Sequence, residues 1–335
     1  MADQTTQNSG GHPVVDAVVI GRNEGARLRA CLLSLAQQTR RVIYVDSGST
    51  DGSTDLARAL GADVVALDLT LPFTAARARN AGLAKLAAGT ENPDFVQFAD
   101  GDCAVDAGWV CRALEAFALH PDAVVMCGRR RERFPEASIY NRLCDREWNT
   151  PIGQARACGG DALMRHDPLV AVGGYREDLI AGEEPELCIR LRQRGGTIWR
   201  IDAEMTLHDA AIIRISQFWK RSKRAGYAFA QGAALHGAPP ERHWVRETRR
   251  AVLWGAVLPA AAILGAILVH PALIALILLW PLQVLRLCWA WRGEGRIGWE
   301  AALMWVPAKL AEAQGAIGYW YGRLLGRQRG LIEYK

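Results

Sequence analysis

The stretch Phe95-Val96-Gln97-Phe98-Ala99-Asp100-Gly101-Asp102-Cys103 is an apolar run that stops at two aspartates separated by one glycine. The pattern predicts a buried strand that delivers both carboxylates to the carboxyl edge of a sheet, where open α/β folds bind ligands. Two carboxylates held so close repel each other unless a cation lies between them, and a divalent metal that carries phosphates meets that need. A solvated acidic turn is the alternative, because Asp-Gly is common in loops.

The chain before this run alternates predicted strands and helices. Apolar residues at buried-strand or helical spacing predict strands over 14–20, 41–46 and 64–67, and helices over 24–38, 73–86 and 109–119. Such a βαβ succession is typical of a parallel sheet with helices on its faces. We therefore expect an α/β domain in the first 210 residues.

Two polar segments follow the first two predicted strands. Arg22-Asn23-Glu24 combines turn chemistry with charge, and Asp46-Ser47-Gly48-Ser49-Thr50-Asp51-Gly52 precedes a predicted helix. The glycines permit a tight turn, while the hydroxyls and Asp51 supply helix caps and hydrogen-bonding groups for a polar ligand. An Asx turn is an alternative role for Asp46.

Charged side chains recur on two later predicted helices. Arg79 has a guanidinium near the strand ends, where it can stack on a base or bind a phosphate, although most helical arginines are solvated. Glu183, Glu184 and Glu186 begin the helix at 183–191, and acidic charge at a helix N-terminus explains any one of them. One such carboxylate could also take a proton from an attacking hydroxyl.

These segments occur in one order and spacing that resembles the inverting glycosyltransferases of family 2. The shared elements are Arg22-Asn23-Glu24, Asp46–Gly52, Ala78–Gly82 and Asp100-Gly101-Asp102, and the resemblance extends from Val14 to His208. It implies the GT-A fold of nucleotide-diphospho-sugar transferases, with a Rossmann-like mixed sheet.

The resemblance also implies roles for individual residues. Asp102 and His208 would ligate the Mn²⁺ or Mg²⁺ that carries the donor diphosphate, and neutral imidazole beside a carboxylate suits manganese. Glu184 would be the general base, supported by Glu183. The family typically has an aspartate at the position of Glu184, so the carboxyl group of this chain is one methylene further out. The nucleotide-sugar pocket would contain Arg22, Asn23, Glu24, Asp46, Ser47, Asp51, Arg79, Asp100 and Gly101.

Composition places the surplus of apolar residues in the C-terminal third. The 335 residues are 50% hydrophobic and include 12 Trp, while the net charge is only +5. The first 200 residues contain no basic stripe interleaved with aromatics, so we expect no nucleic-acid partner. The eight cysteines show no zinc-site spacing and are expected to be core residues in a reducing compartment.

Two long apolar segments, 251–269 and 272–290, are separated by His270-Pro271. Each is about as long as the roughly 20 residues that a bilayer requires of a helix, which predicts a spanning or re-entrant hairpin. Arginines flank the pair on both outer sides, so both ends are expected in the cytoplasm, beside anionic lipid. A helical hairpin buried in a soluble domain is the alternative.

These observations predict five segments and a location. We expect no signal peptide before the catalytic domain, which is expected at the cytoplasmic face of a bacterial inner membrane, attached through 251–291. The segments are a disordered N-terminus (1–12), a GT-A catalytic domain (13–210), basic and aromatic juxtamembrane helices (211–250), a hydrophobic helical hairpin (251–291), and an amphipathic helix with a basic tail (292–335).

The expected function is a metal-dependent inverting transfer of a sugar from a nucleotide sugar, expected to be a UDP-sugar. The expected acceptor is a hydroxyl of a lipid-linked saccharide in exopolysaccharide or cell-envelope glycan synthesis. A polyprenyl-phosphate glycosyltransferase is one alternative, and its anionic acceptor needs no base. A catalytically silent membrane scaffold that binds nucleotide is another. The sequence does not identify the sugar, the linkage or the oligomeric state.

Overall fold

The structure, a computed structural model, describes residues 13–326. The predicted disorder of 1–12 and the end of the predicted basic tail, 327–335, lie outside the described residues. Within the described range nine strands form one sheet. They are β1 (Val15–Gly21), β2 (Val42–Asp46), β3 (Asp63–Ala66), β4 (Phe95–Asp100), β5 (Cys103–Val105), β6 (Ala123–Glu132), β7 (Gly153–Ala155), β8 (Ala162–Arg165) and β9 (Thr197–His208).

The helices fall into two groups. Those of the first 200 residues are α1 (Ala26–Ala36), α2 (Ser53–Ala59), α3 (Ala75–Ala87), α4 (Trp109–Leu119), α5 (Ile139–Trp148), α6 (His166–Ala171) and α7 (Glu183–Gln193). Those that follow are α8 (Ile215–His236), α9 (Val245–Val252), α10 (Leu258–Leu268), α11 (Leu279–Ala290) and α12 (Arg296–Leu324).

The sheet is mixed, as expected. Its strand order is β3-β2-β1-β4-β8-β6-β9-β5, with β7 paired to β9. Strands β3, β2, β1 and β4 run parallel, whereas β8 is antiparallel to both of its neighbours. Because the chain moves outward from β1 to β3 and then returns to the other side of β1 as β4, a crevice opens at the carboxyl ends of β1 and β4.

The predicted strands and helices up to α4 are confirmed, with boundaries that differ by up to two residues at either end. After α4 the chain continues as β6, which extends to Glu132, and as the ten-residue helix α5. Helix α5 packs on two sides, against β6 and against α12.

The short strand β5 determines which residue faces the aspartates. It follows Asp100-Gly101-Asp102 at once and pairs antiparallel with the end of β9, where Cys103 lies opposite His208. A histidine 105 residues further along the chain is thereby brought beside Asp102.

Helices α8 and α12 pack directly against each other, and α12 also pairs with α5 of the α/β domain. Gly226 of α8 lies against the backbone oxygen of Glu312, and Gly315 of α12 lies against that of Lys223, so the two helix backbones touch. Arg142 of α5 adds a two-pronged ion pair with the buried Glu300 of α12, at 2.9 and 2.8 Å.

Two helical segments are long and apolar enough to cross a membrane. An 18-residue window within Val245–Leu268 has a mean hydropathy of 2.2, and one within Pro271–Ala290 has a mean hydropathy of 1.9. Only 11% of the first window and none of the second is buried within the described chain. The alternative of a hairpin buried in a soluble core is therefore not what the fold shows: large apolar side chains such as Ile267 and Leu285 are exposed.

Candidate active site

A single guanidinium, that of Arg79 on α3, holds three carboxyl groups at the sheet edge. Its Nη2 lies 3.0 Å from Asp100 Oδ1, and its Nη1 lies 2.8 Å from Glu183 Oε1 and 3.1 Å from Glu184 Oε1. The Arg79 side chain is only 3% exposed. The structure thus joins four of the predicted site residues into one buried network.

The two glutamates reach this network because of the local backbone before α7. Gly182 has a left-handed φ of 83°, a conformation that glycine adopts without strain, and it starts the helix directly at Glu183. Gly160 lies beside the ion pair of Arg79 and Asp100, where an added Cβ would stand 2.7 Å from Arg79 Nη2. Glycine at both positions lets the backbone approach the charges closely.

The protonation of Glu184 is set by this environment. Burial and, next, the neighbouring Glu183 carboxylate raise the pKa of Glu184 to about 7, although Arg79 opposes the shift. Burial alone would lower the pKa of Arg79, but Glu184, Asp100 and Glu183 together raise it, so the guanidinium stays charged. A carboxyl group with a pKa near neutrality is matched to proton transfer at physiological pH.

A second arginine, Arg130 on β6, holds the other side of Asp100. Its Nη2 lies 3.0 Å from Asp100 Oδ2, its Nε lies 3.2 Å from Asp161 Oδ2, and its guanidinium stacks 5.0 Å above the Trp148 ring. Burial would raise the pKa of Asp100, but Arg79 and Arg130 outweigh it and lower that pKa.

Sequence reasoning missed Arg130 and Asp161. Asp161 is fully buried and also accepts a hydrogen bond from Thr206 Oγ1 at 2.8 Å. The available signals were three successive arginines at the end of an apolar strand and an aspartate directly after Gly159-Gly160. Neither pattern indicates its partners, because Arg130 lies 30 residues from Asp100, and Asp161 lies 31 residues from Arg130 and 61 from Asp100.

Asp102 and His208 form a second group beside the first. Asp102 Oδ1 lies 3.2 Å from His208 Nε2, and the imidazole meets the Trp148 ring edge-on at 4.7 Å between centroids. Potential ligand atoms of Asp100, Asp102, Cys103 and His208 all lie within 4.8 Å of one another. Burial and nearby carboxylates raise the pKa of Cys103 well above its usual value, so it offers a thiol rather than a thiolate.

These donors fit a hard divalent cation, because carboxylate and imidazole suit manganese or magnesium. The excess of carboxyl groups at the site also favours binding of a cation. Five carboxyl groups face two guanidinium groups here: Asp100, Asp102, Asp161, Glu183 and Glu184 against Arg79 and Arg130.

The loop after β1 is tied to the loop after β2. Asn23 has a left-handed φ of 56°, its backbone N–H donates to Ser49 Oγ at 2.9 Å, and its Oδ1 accepts from the Thr50 N–H at 2.7 Å. Arg22 beside it is exposed at the mouth of the crevice. Glu24 pairs with Arg27 at 2.8 Å, and Gly101 packs against the Glu24 side chain.

Asp46 ends β2 and forms an Asx turn. Its Oδ2 accepts from the N–H groups of Gly48 and Ser49, at 3.0 and 2.9 Å, and its Oδ1 accepts from the Tyr44 hydroxyl at 3.1 Å. The turn alternative for Asp46 is therefore present in the structure. The buried hydroxyl of Ser47 has no hydrogen-bond partner among residues 13–326, so it is available to a ligand.

Asp51 follows Thr50 in the loop after β2 and lies close to Gly25. Its Oδ1 accepts from the Ser53 N–H at 3.0 Å and from the Ser53 hydroxyl at 2.6 Å, which stabilises the start of α2. The hydrogen bonds from Ser53 lower the pKa of Asp51. The observed bonds thus join Asn23 and Asp46 to the same loop at Ser49 and Thr50, and those of Asp51 hold the start of α2.

Comparison with known proteins relates the first half of the chain to a glycosyltransferase family. Residues 16–168 match the sequence model of the family described as Glycosyl transferase family 2. Over 214 residues the chain is 28% identical to the succinoglycan biosynthesis protein ExoA of Rhizobium meliloti (strain 1021), and the match covers 59% of this chain and 64% of ExoA.

A solved structure shows the same fold. It is the mannosyltransferase PcManGT from Pyrobaculum calidifontis in complex with GDP-Man and Mn²⁺, which superposes with a TM-score of 0.60 at 18% identity over 93% of this chain and 88% of that chain. The predicted GT-A architecture is confirmed, and the match over residues 16–168 supports a glycosyltransferase of family 2.

Proposed function

We propose that this chain transfers a sugar, with inversion, from a nucleotide sugar to a hydroxyl of a lipid-linked saccharide during polysaccharide synthesis. The observation that carries this proposal is Glu184: its side chain is only 13% exposed, it is tied through Arg79 to Asp100, and its pKa is raised to about 7. A structural helix-start glutamate needs neither the burial nor the link to a strand-end aspartate. The relationship to ExoA supports a role in exopolysaccharide synthesis.

In this mechanism Glu184 removes the proton of the acceptor hydroxyl as the oxygen attacks the anomeric carbon. The new carbon–oxygen bond forms opposite the bond to the diphosphate, whose electron pair leaves with the nucleotide, so the configuration inverts. Arg79 holds Glu184 and Glu183 at fixed positions and keeps Glu184 from drifting toward solvent. Glu183 raises the basicity of its neighbour through charge.

The donor is assigned to the crevice at β1 and β4. Asp102 and His208 would hold Mn²⁺ or Mg²⁺, which supplies Lewis-acid stabilisation of a departing diphosphate. Asp100 is assigned to the ribose and Asp46 to the base, which we expect to be uracil. The remaining donor contacts are assigned to Arg22, Asn23, Glu24, Ser47, Asp51, Arg79 and Gly101.

We place the acceptor at the membrane surface because the apolar hairpin is exposed. Two apolar helices, 24 and 20 residues long, project their side chains away from the α/β domain, and arginines lie at both outer ends. Such a surface is stable in hydrocarbon and costly in water. We assign residues 13–210 to catalysis and 251–291 to attachment at the cytoplasmic face, where anionic lipids attract the arginines.

The test uses the purified full-length chain with Mn²⁺, a panel of UDP- and GDP-sugars, and a bacterial lipid extract. We expect one donor to be consumed and the lipid fraction to become labelled. Glu184→Gln should lower transfer about a hundredfold or more, as expected when a general base is lost. Glu115→Gln, an exposed glutamate on α4, is the matched control and should transfer at the wild-type rate.

Other outcomes select other functions. Labelling that survives Glu184→Gln would show a polyprenyl-phosphate acceptor, since an anion needs no base. Turnover of no donor at all would favour a nucleotide-binding scaffold. Activity that persists after chelation and dialysis would exclude the metal assignment to Asp102 and His208.

A further inference from the structure

An arginine cluster lies at the foot of the hairpin, outside the site described above. A cavity of about 300 Å³ is lined by Val245, Leu253 and four arginines: Arg242, Arg246, Arg249 and Arg250. These positions follow one face of α9 and the turn before it, because they recur at helical spacing of three and four residues. We call Arg242, Arg246, Arg249 and Arg250 the foot arginines.

The foot arginines carry charge that the described chain does not neutralise. All four are exposed, and within residues 13–326 their side chains make no hydrogen bond or ion pair. The nearby Glu241 is already held by Arg192 at 2.7 Å and Arg156 at 2.9 Å. Glu247 is the sole acidic residue within α9 and leaves the segment strongly positive. Several guanidinium forks on one cavity suit phosphate oxygens, which they bind in pairs.

The same cavity continues into apolar surface. Leu253 lines it and is exposed, and Val257, one turn further on, is exposed as well. A soluble phosphate would gain nothing from this neighbourhood. A phosphate attached to a hydrocarbon chain would place its charge on the arginines and its chain along the hairpin.

The cavity also adjoins the start of the helix that carries Glu184. Trp244, between Arg242 and Val245, packs its ring directly against Gly182, the residue before Glu183. An added Cβ at Gly232 would stand 2.6 Å from Trp244 Cε3, so the ring fits against two glycines. Arg242 and Trp244 both have left-handed backbones, with φ of 46° and 52°, which are uncommon for such residues and mark a constrained segment.

We propose that the foot arginines bind the phosphate groups of the lipid that carries the acceptor saccharide, and thereby set the distance from the membrane at which its sugar meets Glu184. This inference rests on the proposed function and adds a subsite to it. The packing of Trp244 on Gly182 fixes the cavity relative to the catalytic helix, which diffuse attraction to a charged bilayer does not require.

The first arm of the test measures binding without any reaction. The full-length chain is mixed with phosphatidylcholine vesicles that contain either a polyprenyl diphosphate or phosphatidylglycerol of equal total charge, and bound protein is measured by flotation. Wild type should prefer the diphosphate lipid about tenfold or more, as expected for charge-assisted pairs. Arg246→Gln/Arg249→Gln should lose that preference. Arg286→Gln/Arg292→Gln, which removes two exposed charges at the other end of the hairpin, should retain it.

The second arm measures transfer. The Arg246→Gln/Arg249→Gln variant should raise the KM for the lipid acceptor about tenfold while the KM for the nucleotide sugar stays unchanged. The binding arm still reports on the cavity if no sugar is transferred, so failure of the proposed function and failure of this inference give different results.

Three results would overturn the inference. Wild type could show no preference between the two vesicles, both double variants could lose binding equally, or inorganic diphosphate could compete as well as the lipid. The first two would assign the foot arginines to bulk anionic lipid, and the third to a soluble phosphate.

Discussion

The carboxyl-edge network and the foot arginines are two charged clusters with opposite construction. In the network, Arg79 is buried and paired with Asp100, Glu183 and Glu184. At the foot of the hairpin, arginines such as Arg246 are exposed and have no partner in the described chain. A buried charge must be compensated within the fold, because desolvation is costly. An exposed cluster can keep its charge for a ligand.

The difference separates two tasks. The network sets the proton affinity of Glu184, because burial and the Glu183 carboxylate raise the pKa of Glu184 to about 7. The foot arginines keep full charge beside apolar surface, which favours recognition of a lipid phosphate. Substitutions in each region test this separation of tasks.

The largest expected effect comes from removing the compensating charge of the network. Arg79→Met leaves the carboxyl groups of Asp100, Glu183 and Glu184 without their shared partner. Breaking a buried pair in this way costs about 3–5 kcal/mol. Denaturant unfolding of the detergent-solubilised protein, followed by circular dichroism, should show a loss of that size.

The control for Arg79→Met is Arg58→Met, which breaks an exposed pair with Asp55. Exposed pairs contribute about 0–1 kcal/mol, so unfolding should hardly change. Equal effects of the two variants would contradict the view that burial decides the value of these charges.

A smaller effect is expected when charge is placed on the hairpin. Val257→Asp places a carboxylate in the middle of Val245–Leu268. Insertion of an aspartate at the centre of a membrane helix costs about 2.5–3.5 kcal/mol. The fraction of protein that sediments with membranes should fall. Leu119→Asp, on an exposed leucine of α4, should leave that fraction unchanged. If Val257→Asp also leaves it unchanged, the hairpin does not enter the bilayer.

The smallest effect tests how closely the network is packed. Gly160→Ala would place a Cβ 2.7 Å from Arg79 Nη2 and 3.0 Å from Asp100 Oδ2. Arg79 cannot move away without losing its glutamates, so we expect a loss of about 1–3 kcal/mol of stability. The adjacent Gly159→Ala meets nothing closer than 3.7 Å and should be silent. Similar melting temperatures for both variants would show that the network yields easily.

Much of the fold could be predicted from the sequence. The first strands are continuous apolar runs that end in polar residues, so both their existence and their functional ends are encoded locally, as at Asp46 and Asp100. The helix over 109–119 matches α4 residue for residue, because Trp109, Ala113 and Phe117 recur at helical spacing and His120-Pro121 ends it.

The rest depends on contacts between distant parts of the chain. Strand β5 has only three residues, so periodicity cannot reveal it, and its pairing with β9 brings His208 to Asp102. Arg79 looks like an ordinary helical arginine until α7 folds against it. The packing of Trp244 on Gly182, across 62 residues, carries no local signal at all.

The central claim is that Glu184 is the base and that its surroundings set its proton affinity. The most direct test is the pH dependence of kcat/KM for sugar transfer in wild type and Glu184→Gln. A base must be deprotonated, so the wild-type rate should fall about tenfold per pH unit below a midpoint of about 7, the raised pKa of Glu184. In Glu184→Gln the residual rate should lose this limb. An unchanged limb in the variant would assign the titration to another group and contradict the account.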